Sequence, residues 1–341
     1  MNAQQYSVES GIVPRFQWNA NSGYCGETSF ICAGLKYGQY CSQFTARQVA
    51  SSLPQYDSGS QLLLGTGRDA RAAVEMRLAA TEFPGGLDVP PAALIVWVKS
   101  QLSQGNVPII GVLNNVTALN EPGPGDPQYD HIVPILGMES EFPVQDENGG
   151  VEYHATDVIT LSDNGLYGPD ANGDYPLRFS YEVASFQGDR AQANEQGGPV
   201  YMLNSQPPNY GIAIQGVADE DGVCLPVSLA SDRHREPNPP PMDPAPPASP
   251  QLAQPPLCDA APVPFALKQT ATVDLSGQTG PCNLYLYDDF SLVPVRGFNA
   301  AAAHAVRVWN IPAGWGPTFV VEHDAMSSDT VVFRAVPASA P

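Results

Sequence analysis

Basic side chains are scarce in this sequence: three lysines (Lys36, Lys99 and Lys268) and twelve arginines stand against 35 acidic residues, for a formal charge of −20 at neutral pH. So negative a surface repels the phosphates of nucleic acids and of anionic membranes, and neither is expected as a partner. Long apolar runs are missing too. The longest, such as Val107 to Leu113, are strand-sized, well short of the roughly 18 residues that a membrane-crossing helix needs, so no membrane insertion is expected. Cysteine is sparse, at six (Cys25, Cys32, Cys41, Cys224, Cys258 and Cys282). That is few for a disulfide scaffold, and no CxxC pair or Cys/His spacing suits a structural zinc site, so neither a metal nor a cofactor is expected. The opening residues, Met1 to Glu9, are polar and lack the basic and apolar regions of a secretory signal. A single Asn-Val-Thr triplet at Asn115 is compatible with secretion.

Proline, by contrast, is abundant and unevenly placed. Between Pro237 and Pro264, twelve of 28 residues are proline and the apolar periodicity vanishes, which predicts an extended, semi-rigid spacer. Three parts are expected: a domain over residues 1–232, a Pro-rich linker over 233–264 and a smaller module over 265–341. The module contains short apolar runs at Ala266 to Leu275, Cys282 to Tyr287, Leu292 to Val295, Ala305 to Trp309, Thr318 to Val321 and Thr330 to Ala335. Separated by Gly, Pro, Asp and Ser, they predict a small all-β sandwich with no catalytic constellation of its own.

The large domain changes character midway. Gly26 to Tyr37 places Phe30, Ile31, Gly34 and Leu35 on one helical face; Thr45 to Leu53 opens on a threonine cap; Asp69 to Ala80 is rich in Ala and Arg; Pro91 to Gln104 stops at Gly105. Strand signals follow at Val107 to Leu113, His131 to Leu136, Val158 to Leu161, Val200 to Leu203 and Gly211 to Val217. Helices first and strands afterwards predict an α+β fold of two segregated layers.

The segment from Phe16 to Phe30 carries the most chemistry. Cys25 lies where a polar, Gly-containing loop becomes an amphipathic helix. At a helix start the unpaired amides and the dipole favour a thiolate, the reactive form of cysteine. The Cys25 amide can also face a substrate oxyanion, and Gln17, upstream on the same loop, offers a side-chain NH2 as a second donor. Trp18, Tyr24 and Gly26 flank the nucleophile and are candidates for contact with substrate. Of five histidines, only His131 opens an apolar strand, where its ring can face a cleft while Ile132 to Leu136 anchor the backbone. A further strand ends in Asp163-Asn164, either of which can orient an imidazole, though Asp-Asn-Gly is also strong turn chemistry. Strand alternation lets one of the two face His131, and Asp163 is the expected one.

Gln17 eight residues before Cys25-Gly26, Asp130-His131 opening a strand and Asp163 closing another together resemble the papain-like cysteine peptidase superfamily. The resemblance is to its compact branch, which includes the double-glycine leader peptidases of bacteriocin exporters. The helix from Ala92 to Gln104 followed by Gly105-Asn106-Val107-Pro108-Ile109-Ile110 is similar to that branch's helix and strand. The likeness spans residues 12 to 217 and stops before the linker. It implies a papain-like helical half plus an antiparallel β half, with Cys25 as nucleophile, His131 as base, Asp163 (or Asn164) as orienter and Gln17 as oxyanion donor. Gly26 departs from the family, where papain itself has Trp.

The resemblance implies a cysteine peptidase or amidase working through an acyl-thioester, with a peptide or amide as substrate. Two other outcomes fit the same residues: a transamidase or acyltransferase that passes the acyl group to an amine, and an inactive surface or adhesion protein whose β-module binds a ligand. The acidic surface and the module suggest an extracellular or cell-surface setting.

Overall fold

The computed structural model describes residues 5–17, 23–41, 43–51, 60–116, 128–167, 176–218, 227–229, 267–276, 282–287, 307–311, 318–325 and 332–337. The expected Pro-rich spacer and the run Leu292 to Val295 lie outside them. In chain order the elements are β1 (Tyr6–Glu9), α1 (Cys25–Lys36), β2 (Gln39–Tyr40), α2 (Gln43–Ala50), α3 (Arg68–Glu75), β3 (Leu78–Glu82), α4 (Pro91–Ser103), β4 (Val107–Asn114) and β5 (His131–Ser140). Then come β6 (Val158–Ser162), β7 (Arg178–Glu182), α5 (Val183–Phe186), β8 (Gln187–Gly188), α6 (Arg190–Glu195), β9 (Tyr201–Asn204) and β10 (Gly211–Val217). The C-terminal strands are β11 (Val227–Leu229), β12 (Leu267–Asp274), β13 (Cys282–Tyr287), β14 (Arg307–Ile311), β15 (Thr318–Ala325) and β16 (Val332–Pro337). Two compact units interleave along the chain: Met1–Arg15, Leu63–Ala70 and Ala80–Gln215 form one, and Phe16–Leu62, Arg71–Ala79 and Gly216–Pro341 form the other.

The first unit is built on a sheet of order β3-β10-β4-β5-β6-β7, with β1 added to β5, β9 to β4 and β8 to β9. Neighbours β4, β5, β6 and β7 run antiparallel, and the short β8–β9 contact is parallel. Together with its helices this is an α+β arrangement. Every residue of β4 is buried, as is all of β5 except Glu139; strands covered on both faces read as continuous apolar runs, which is how they appear in the sequence.

Helix α4 begins with Pro91, whose fixed φ suits the first helical position. It ends where the Gly105 amide reaches the Leu102 carbonyl and the Asn106 amide reaches that of Gln101. That pair of bonds needs a left-handed residue, and Gly105 has φ +78°. Leu94, Ile95, Val98 and Leu102 then pack on Ile110, Val112, Val133, Ile135, Ile159 and Leu161, each contributing about 1.5–3 kcal/mol by burial. Lys99 points into the interior as well, donating to Asp157 Oδ2 at 2.7 Å, with both side chains buried.

One expected helix divides. Over Asp69 to Ala80 the chain was expected to stay helical, but α3 stops at Glu75, Arg77 takes a left-handed φ of 56°, and Leu78 opens β3. Alanine's helix preference, a few tenths of a kcal/mol per residue, loses to the ladder that β3 forms beside β10.

In the second unit, α1 is buried on every side from Gly26 to Leu35, not on one face alone. Gly34 is required there, since a Cβ would come within 2.9 Å of the Gln39 carbonyl oxygen. Helix α2 starts two residues earlier than the Thr45 cap predicts, at Gln43. The C-terminal strands form two antiparallel sheets, β11-β12-β15 and β14-β13-β16-β2; β2 enters the second by pairing Gln39 and Tyr40 with Arg334 and Phe333. No helix among the described residues is long and apolar enough to cross a membrane.

Candidate active site

Cys25 is the first residue of α1 and is partly exposed, its side chain a thiol. Tyr24, the residue before it, has a non-helical backbone and provides no side-chain cap. The first-turn amides and the helix dipole lie at the Cys25 end of the helix. Inside the turn, the Thr28 amide closes on the Tyr24 carbonyl and Ser29 Oγ donates to the Cys25 carbonyl at 2.7 Å.

Phe16 and Gly23, upstream of Cys25, are both held by α2. Gln43 Nε2 donates to the Phe16 carbonyl at 2.9 Å, and Arg47, one turn later on the same helix face, donates from Nη2 to the Gly23 carbonyl. Gly23 has φ +85°, a conformation that favours glycine. Arg47 is fully buried; its Nε meets Glu27 Oε1 at 2.7 Å and its guanidinium lies 3.7 Å from the centre of the Tyr24 ring. Glu27 Oε1 also accepts from the Leu62 amide. Burial works against the Arg47 charge, yet Glu27, Tyr24 and Cys25 hold it above its ordinary range. Gln17 is buried with its carboxamide beside Gly23, and its Oε1 has no hydrogen-bond partner among the described residues.

His131 belongs to the other unit. Its Nε2 lies 2.9 Å from the main-chain oxygen of Asp163. A carbonyl only accepts, so Nε2 carries the proton and, in the neutral ring, Nδ1 is the bare, basic nitrogen. Burial drives the imidazole down to about 4, the Asp163 carbonyl opposing the shift, so the ring is neutral at pH 7. Asp163 does orient the histidine, but through its backbone. Its carboxylate is engaged elsewhere, accepting from the amides of Gly165 and Tyr167 and from the Tyr201 hydroxyl. Burial raises the Asp163 carboxyl, and those hydrogen bonds work against the rise. Tyr201 also stacks on the imidazole, with ring centres 5.9 Å apart.

Turn and orienter coincide at this point. Asn164 and Gly165 both have positive φ, 55° and 70°, and the Leu166 amide returns to the Asp163 carbonyl, the geometry of a tight turn with two left-handed central residues. Asn164 Nδ2 donates to the Ile132 carbonyl at 3.2 Å, tying the turn to the strand that bears His131.

The other expected residues sort plainly. Tyr24 does not line a cleft: it is 1% exposed and packed under Arg47. Gly26 is buried in the first turn of α1. Trp18 lies outside the described residues. Cys25 and Gln17 fall in one compact unit, and His131, Asp163 and Asn164 in the other. Asp130, beside His131, pairs with Arg190. Among the described residues no cluster of three His, Cys, Asp or Glu is arranged to hold a metal. Arg47, Glu27 and Tyr201 were not anticipated; the one sequence signal was the Gln43/Arg47 spacing of four, which puts two long polar side chains on one helix face. No protein-family model matches the chain, and no curated protein matches it.

Proposed function

We propose that this chain is a cysteine-dependent peptidase or amidase with a papain-like α+β catalytic part and a small β-sandwich accessory module, working outside the cell or at its surface. Cys25 attacks the carbonyl carbon of a peptide or related amide. The thiol proton passes to His131 Nδ1, and the oxyanion is received by the Cys25 amide and the Gln17 carboxamide. The C–N bond then breaks as His131 returns the proton to the leaving amine. Water, deprotonated by His131, hydrolyses the acyl-thioester and regenerates the thiol.

The observation that carries this reading is the fixed tautomer of His131, which leaves a neutral ring with Nδ1 as its base nitrogen. The placement of Cys25 at a helix start supports it.

A fluorogenic peptide library tests the proposal. Hydrolysis is expected to vanish in Cys25→Ala and to fall about 10²–10⁴-fold in His131→Ala. Hydrolysis that survives the loss of Cys25 overturns the reading. Product formed only when an amine is added, by acyl exchange and without release of the free acid, identifies an acyltransferase instead.

A further inference from the structure

Arg47 is the most completely buried cation of the second unit's described residues, and three different uses are made of one guanidinium. Nε binds Glu27, Nη2 binds the Gly23 carbonyl, and the plane covers the ring of Tyr24. Two of these partners, Gly23 and Tyr24, are the residues immediately before Cys25. Burying an ion pair costs several kcal/mol per ion, and an apolar pair of similar volume often serves stability as well or better. A pair retained at 0% and 1% exposure behind a thiol calls for a role that a leucine could not fill.

We propose that Arg47, seated by Glu27 and helped by Gln43 one turn earlier, is the positioning residue of the nucleophile. Its guanidinium fixes the Gly23 carbonyl from inside and supplies a resident positive charge that favours Cys25 as the thiolate. The proposal rests on Cys25 being the nucleophile of the reaction above. Among the described residues, the titratable groups that couple to Arg47 are Glu27, Tyr24 and Cys25; Glu27 is the acidic residue of the first turn of α1, and Lys36 stands at the helix's opposite end. Arg47 therefore draws the thiol toward ionisation while Glu27 resists it. A lysine would keep the charge without the planar fork that reaches Glu27 and Gly23 together.

The two charges have opposite signs, and so do the expected effects of removing them. The test is the pH dependence of Cys25 alkylation by iodoacetamide in the full chain, read by mass on the Cys25 peptide. Glu27→Gln leaves Arg47 uncompensated and should move the midpoint to lower pH. Arg47→Met leaves Glu27 and should move it upward by about one pH unit, making alkylation near pH 6 about tenfold slower. Arg47→Lys should keep the midpoint near wild type while lowering peptide hydrolysis, because the charge survives and the hold on Gly23 does not. A merely structural pair would shift both neutralising variants the same way or not at all, and either result overturns the proposal. If Arg47→Met does not fold, Glu27→Gln decides alone, an unmoved or raised midpoint counting against it. Opposed shifts in a chain without hydrolytic activity would uphold the charge relation and sink the peptidase reading. Cys25-dependent hydrolysis without those shifts would do the reverse.

Discussion

His131 gives its Nε2 proton to the main-chain oxygen of Asp163 at 2.9 Å, while the carboxylate of the same residue serves Gly165, Tyr167 and Tyr201. The imidazole is thus oriented by a group that no side-chain substitution deletes. Where a carboxylate holds the histidine, its change to an amide costs about 10⁴ in kcat. Here Asp163→Asn should cost no more than about tenfold in peptide hydrolysis. A loss near 10³ would mean that the carboxylate charge is used after all.

Tyr201→Phe removes a hydroxyl from a buried carboxylate, a change worth about 1.5–3 kcal/mol when the acceptor is ionised. Burial already holds Asp163 above its ordinary range, so its folded state keeps a proton that the unfolded chain gives up. Stability from this group is present below the unfolded value and is lost as pH rises through the folded one. Losing the hydroxyl raises the folded value further. The stability gap between wild type and Tyr201→Phe should therefore be small near pH 4 and widen toward pH 7 in urea melts. A gap constant across that range would show that the hydroxyl does not act through the carboxylate charge.

The acid side of stability is set in part by His131. Its folded value is about 4, against about 6.5 when unfolded, so between these limits the unfolded chain binds a proton that the folded chain refuses. Stability should fall as pH is lowered through that window, by up to about 1.4 kcal/mol per pH unit. His131→Gln should lack this part of the slope in melts from pH 7 to 4.5. An unchanged slope would contradict the burial of a neutral ring.

Lys99 and Asp157 form a buried ion pair. Lys99→Met strands a carboxylate in the interior and should cost about 3–5 kcal/mol, much of it recovered in Lys99→Met/Asp157→Leu, since the cost lies in the orphaned charge. Chemical denaturation of both variants checks this, and a double variant no more stable than the single one would refute it.

The α+β character and the main strands were legible because their causes are local. Val107 to Leu113 and Gly211 to Val217 are apolar runs bounded by turn residues, and α4 carries its own start and stop in Pro91 and Gly105. Where local preference and pairing conflict, composition misleads: Asp69 to Ala80 looks helical throughout, yet from Leu78 the chain is a strand by its place beside β10. Cys25, His131 and Asp163 could be named as candidates because each sits at the end of a recognisable element. The use of the Asp163 carbonyl could not, because a main-chain acceptor leaves no mark on residue type. Tyr201 meets Asp163 across 38 positions, and periodicity says nothing of such a contact. Residue type does not mark Arg47 as buried either, since a charged residue in a helix is ordinarily solvated.

Gln43 and Arg47 hang the Phe16 and Gly23 carbonyls from a single eight-residue helix. Helices that short have little stability of their own. Fraying of α2 would release the Phe16 and Gly23 carbonyls in one event, so Cys25 reactivity should decay with the local opening of that helix and not with global unfolding. Amide exchange in α2 would then report the lifetime of the competent state more faithfully than any melting curve.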